Sequence, residues 1–89
     1  MSKQQQLRRF IHLYYDKECT RKLDSWIDDG RIEIYVVNNF EHDFLMEKIE
    51  GGVEVMEPTL PIFLHHKEVV KIKLDVTSGF TIKGRFIIR

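Results

Sequence analysis

The apolar residues of this chain change their period once, at Gly30, and that change restricts the folds open to it. Before Gly30, Leu7, Phe10, Ile11, Tyr14, Tyr15, Cys19, Leu23, Trp26 and Ile27 recur at steps of three and four, the spacing of one apolar stripe on a helix. After it the step is two: in "RIEIYVVN", Ile32, Ile34 and Val36 alternate with Glu33, Tyr35 and Val37, as on a strand with one buried face. The spacing predicts a helix from about Gln4 to Asp28, or two short helices divided near Asp16 with Asp16 or Thr20 as the second cap. Gly30 is the expected stop, since glycine accepts the left-handed conformation past a helix end.

Beyond Gly30 the pattern predicts short strands separated by turn signals. "NNF" at 38–40 is the first turn, through asparagine's tolerance of positive φ. "HDFLMEKI" is a second strand, "EGG" at 50–52 a turn, and "VEVME" a third strand. Pro58 and Pro61 flank the next turn, because neither donates to a central ladder. Residues 62–66 are expected as a fourth strand, and Val70, Ile72, Leu74 and Val76 as the inward face of a fifth. "TSG" at 77–79 turns the chain into a sixth, residues 80–88, paired antiparallel to 70–76, with Gly84 marking a bulge. The expected class is α+β: a helical lead over residues 1–29, then a small, strongly bent antiparallel sheet or barrel of five to six strands over 30–89.

Eighty-nine residues with 43% hydrophobic side chains make one domain with a limited core, so assembly into a homo-oligomer is the expected route to added stability. A single cysteine, Cys19, forms no internal disulfide and fits a reducing compartment. The apolar runs are only a few residues long, and the first residues lack a signal peptide's apolar core. The expectation is a cytoplasmic protein with no membrane span.

The zero net charge hides three blocks. Residues 1–22 carry six basic and two acidic side chains, residues 23–58 two and ten, and residues 59–89 six and two. Either folding mixes these charges over one surface, or the molecule has an acidic and a basic face that steer partners. A scan for chemistry finds no glycine-rich phosphate loop, paired CxxC or nucleophile elbow. Cys19 with a histidine, or His42, His65 and His66 with Asp43 around zinc, are the remaining arrangements, and nothing in their spacing requires either. Adjacent histidines on a strand point to opposite faces. The expectation is a non-catalytic protein without cofactor or metal, in which His65-His66-Lys67-Glu68 is a tight turn between two strands.

"IEIYVVNN" at 32–39, with its spacing to "HHKEVVKI" at 65–72, resembles the Sm-like barrel of Hfq-type bacterial RNA chaperones over Glu18 to Ile72. YolD-like small bacterial proteins, a helical lead before an Sm- or SH3-like barrel, fit the same pattern. The Hfq resemblance implies that Tyr35 lies on a face taking purine-rich RNA, that His66 and Lys67 line a uridine pocket, and that Glu18 stands where a glutamine reads a base. The chain departs from that pattern in the order of the His66–Lys67 pair, in the acid at Glu18, and in Phe44 and Asn39 where the family has glycines. Two functions follow as expectations. One is an RNA or other nucleic-acid-binding regulator using Arg8, Arg9, Tyr35, His66, Lys67, Lys71 and Lys73. The other is a protein-interaction module, such as a small regulator or a phage-type inhibitor of a host protein, whose binding surface is the acidic 23–58 block.

Overall fold

The computed structural model describes Leu7, residues 9–23 and residues 30–88. Five strands form one antiparallel sheet: β1 (Ile11–Tyr14), β2 (Gly30–Asn38), β3 (Asp43–Glu57), β4 (Ile62–Leu64) and β5 (Val69–Ile87), in the order β1-β2-β5-β3-β4. The alternation after Gly30 is the cause. Ile34 and Val36 of β2, Phe44 and Met46 of β3, Leu64 of β4, and Ile72, Leu74 and Val76 of β5 are buried in one core. A straight strand of nineteen residues would run about 60 Å, yet the longest dimension of the molecule is 38 Å. β5 is therefore curved, and so is β3, since only four residues separate its end at Glu57 from Ile62, which pairs with Met46.

The helical lead, and with it the α+β class, is overturned. Ile11–Tyr14 is a strand, in register with β2 from Ile11↔Asn38 to Tyr14↔Tyr35. Among the described residues only Leu7, Arg9 and Phe10 have helical backbone. Trp26, Ile27, Asp28 and Asp29 lie outside the described residues. The stripe misleads because "FIHLYY" satisfies both periods. Its apolar members sit three and four apart, but Ile11, Leu13 and Tyr15 also alternate toward the core while His12 and Tyr14 point away. A ring-rich, β-branched segment beside the uncovered edge of β2 goes to the ladder, because tertiary pairing overrides a weak local preference. Asp16 does cap, but it caps a turn: its carboxylate accepts from Thr20 N at 3.0 Å, Arg21 N at 2.8 Å and the Thr20 hydroxyl. Those bonds, the Thr20 hydroxyl first, hold its pKa below the usual aspartate value. Cys19 takes φ 58° in this turn, and the chain returns with Leu23 N donating to Leu13 O at 2.8 Å.

The six short strands are also corrected. "EGG" and "TSG" lie inside β3 and β5, where Gly51 pairs with Phe80 and Gly52 with Gly79. Small residues here allow two backbones to approach and bend without reversing. A Cβ at Gly52 would lie 1.8 Å from Ser78 Oγ, and Thr77 and Ser78 are looped out of register while Thr77 Oγ1 donates to Gly52 O at 3.0 Å. Residues 80–87 thus pair with 43–51, not with 70–76, which pair with β2 and, from Lys73 onward, with 53–57. The irregularity expected at Gly84 is present: the register shifts between Met46 and Lys48, opposite Gly84 and Lys83.

"NNF" turns the chain, though not through positive φ. Asn38 is fully buried, and its side chain makes the turn: Oδ1 accepts from Phe40 N at 2.9 Å, and Nδ2 donates to His42 O at 2.9 Å and Leu64 O at 2.8 Å. Its backbone holds the second loop, with Lys67 N donating to Asn38 O at 2.7 Å. No helix among the described residues is long and apolar enough to cross a membrane.

Candidate functional site

The register of β1, β2 and β5 aligns their outward side chains in rows. Tyr14 pairs with Tyr35, and Tyr35 with Lys71 on its other side. Beyond β1, Lys22 forms an isolated antiparallel bridge with Tyr14. Tyr15 N donates to Arg21 O and Leu23 N to Leu13 O, so Tyr14 and Lys22 are a non-hydrogen-bonded pair, the kind whose side chains stand closest. The row is Lys22–Tyr14–Tyr35–Lys71: two half-exposed rings between two exposed ammonium groups, each about 5 Å from its neighbour at Cβ.

Towards the loop end of the same face, His12, Val37 and Val69 form the next row. Above it the residue 39–42 loop meets the 65–68 turn. The turn is the tight one expected: Glu68 N donates to His65 O at 3.0 Å, His65 N to Glu68 Oε1 at 2.8 Å, and Lys67 takes φ 66°. All four histidines of the chain gather here. His65 Nδ1 is 2.8 Å from Asp43 Oδ1, and that hydrogen bond and charge raise its pKa above the ordinary histidine value. His66 Nδ1 is 2.9 Å from Phe40 O, and the His42 ring lies 5.3 Å from that of Phe40. His12 Nδ1 is 2.9 Å from Asn39 Nδ2, and Lys67 Nζ is 3.2 Å from Asn39 Oδ1. Among the described residues no three of His, Cys, Asp and Glu are placed to hold a metal ion.

Of the residues singled out in the sequence, Tyr35 and Lys71 are brought together on the face, while His66 and Lys67 occupy the turn at its upper end. Arg9 is exposed beside that end, its guanidinium 5.5 Å from the Phe10 ring centroid. Lys73 lies one row below, but between Glu33 and Glu57, with Glu57 at 3.8 Å, so its charge is largely spoken for. Arg8 lies outside the described residues. Tyr14, Lys22, His12 and Asn39 join the candidate site only in the structure. The first three fall in the segment whose spacing predicts a helix, and the alternation within "IHLYY" is the signal that places His12 and Tyr14 outward.

The acidic middle block does not form a face of its own among the described residues. Antiparallel pairing sets Glu47 3.7 Å from Arg85, Glu57 beside Lys73 and Asp43 beside His65, and Glu50 lies 2.7 Å from Lys48. An open groove of about 400 Å³ beside Met56 is lined by two basic and two acidic side chains, Arg31, Lys73, Glu33 and Glu57, of which Lys73 and Glu57 pair at 3.8 Å. Compared with family models, curated proteins and solved structures, the chain matches none.

Proposed function

We propose that this protein is a small non-catalytic module that binds single-stranded nucleic acid on the outer face of β1, β2 and β5. The observation that carries the reading is the row Lys22–Tyr14–Tyr35–Lys71. Rings one strand apart offer adjoining stacking surfaces for unpaired bases, worth about 1–3 kcal/mol per base. The ammonium groups at the two ends of the row lie where a backbone running across the strands carries its phosphates. A duplex hides the base faces that such a row uses, so the single strand is the better fit. The resemblance to Hfq-type RNA chaperones favours RNA and points to Tyr35 independently of the row. A protein-interaction module on the acidic block needs a contiguous acidic surface, and the described acids are interleaved with cations.

The test is fluorescence anisotropy with labelled RNA and DNA homopolymers at low salt. The chain should bind at micromolar concentration or tighter, and Tyr14→Ala and Tyr35→Ala should each weaken binding roughly five- to hundredfold. Lys71→Glu should do the same with an unchanged melting temperature, since an exposed charge adds little to stability. No measurable binding at micromolar protein would sink this reading.

A further inference from the structure

Lys67, Asn39 and His12 form a chain of hydrogen bonds whose direction is fixed by chemistry. An ammonium group only donates, so the atom of Asn39 facing Lys67 Nζ at 3.2 Å is the carbonyl oxygen. The Asn39 amide nitrogen therefore faces His12 Nδ1 at 2.9 Å, and Nδ1 must accept. A neutral imidazole whose Nδ1 accepts carries its proton on Nε2, and His12 Nε2 lies 3.0 Å from Arg9 O, which accepts it. The chain runs Lys67→Asn39→His12→Arg9 and is complete only when His12 is neutral.

Protonation of His12 puts an N–H on Nδ1 against the Asn39 N–H. If the amide turns over to meet it, its nitrogen then opposes the Lys67 ammonium, so one of the two contacts must go. His65 and His66 at this end lack this property. His65 and His66 both present Nδ1 to an oxygen acceptor, Asp43 Oδ1 and Phe40 O, and an added proton leaves those bonds intact. The groups facing the His12 ring are Arg9 through its carbonyl, Tyr14 on its own strand with ring centroids 6.5 Å apart, Val37 across the ladder and Asn39, with Lys67 one bond further.

We infer that His12 is a proton-operated latch on the nucleic-acid face: neutral, it holds the Lys67 side chain beside Asn39, and protonated, it releases that side chain to swing toward a phosphate of the bound strand. This rests on the nucleic-acid reading for its consequence, though the latch itself is a property of the free protein.

Two measurements separate them. In the free protein, a nitrogen-15 NMR titration should find His12 as the Nε2–H tautomer at alkaline pH, with the Asn39 side-chain amide shifting at the same midpoint as His12. An Nδ1–H tautomer, or an Asn39 amide that stays still while His12 titrates, would overturn the latch. In the second, anisotropy with a labelled uridine homopolymer, at the protonated and neutral ends of that NMR titration, should show wild-type binding roughly two- to fivefold tighter at the protonated end, as expected for one added exposed ion contact. Asn39→Ala should bind at the neutral end nearly as tightly as the wild type does at the protonated end, and Lys67→Ala should lose the acid gain. An acid gain that survives in Lys67→Ala belongs to a histidine's own charge and counts against the latch. Absence of binding at both pH values defeats the nucleic-acid reading, while the NMR titration still decides the latch.

Discussion

Asn38 is the one buried polar side chain among the described residues, and its side-chain bonds go to backbone of the 39–42 loop and of Leu64, the end of β4 that leads into the 65–68 turn. A buried amide is tolerated only when satisfied, and each group left unpaired costs about 1–3 kcal/mol. Asn38→Ala strands Leu64 O, His42 O and Phe40 N together, so a loss of about 2–4 kcal/mol is expected in urea unfolding. Asn38→Asp should be at least as damaging, because a carboxylate places an acceptor against two carbonyls. A loss below 1 kcal/mol in both variants would mean that the loops hold without this side chain. His65 acts on the same loops from outside and brings a pH dependence. Asp43 raises its pKa in the folded state, so the folded state holds that proton more tightly than the unfolded one. The stabilisation is complete below the ordinary histidine range and is lost as pH rises through the raised value. His65→Gln should therefore melt lower than wild type in mild acid and coincide with it in alkali. Parallel melting curves at every pH would show that the pair contributes nothing.

At the scale of elements, what was legible in the sequence depended on whether one period or two described a segment. "RIEIYVVN" and "VVKIKLDV" fit only the period of two, and both are strands paired with one another across seven residues. "FIHLYY" fits both periods, and its choice is made by the edge of β2, a partner about twenty residues away that local spacing does not contain. The glycines misled in another way. A glycine pair before a β-branched run is a turn signal, yet at Gly51 and Gly52 it marks where two long strands bend together. The candidate face was half visible for the same reason: Tyr35 and Lys71 lie on the legible strands, whereas Tyr14 and Lys22 lie in the ambiguous lead. Gly84 shows what such bends require. A Cβ there would stand 2.3 Å from Leu45 O and 2.6 Å from Phe44 Cζ, and Phe44 is fully buried. Neither a ladder carbonyl nor a packed ring yields easily, so Gly84→Ala should cost about 1–3 kcal/mol in denaturant unfolding. An unchanged midpoint would show that the β3–β5 pair gives way at this bulge.

Over the whole molecule, three charge blocks in the sequence become a mixed surface because antiparallel strands carry residues of different blocks side by side. β5, from the basic third block, lies between β2 and β3, which carry most of the described acids. The row Lys22–Tyr14–Tyr35–Lys71 escapes this mixing: β1, from the basic first block, meets β2 at a tyrosine, and β5 meets the other side of β2 at Tyr35, not at a glutamate. One row further from the loop end, Glu33 stands opposite Lys73, and beyond it Arg31 stands opposite Asp75, which in turn meets Glu54. Among the described residues, Lys22 and Lys71 flank the tyrosine row and, with the latch open, Lys67 joins them from its upper end. The number of those cations sets the salt dependence of binding, because each phosphate neutralised on a single strand contributes a slope of about −0.7 in log K against log salt. Three contacts predict a slope of about −2 with His12 protonated, and Lys71→Ala should reduce it to about −1.4. Lys73→Ala should leave it unchanged, since that ammonium already faces Glu33 and Glu57. Equal losses of slope from Lys71→Ala and Lys73→Ala would show that phosphates reach the whole sheet, and that the row does not define the site.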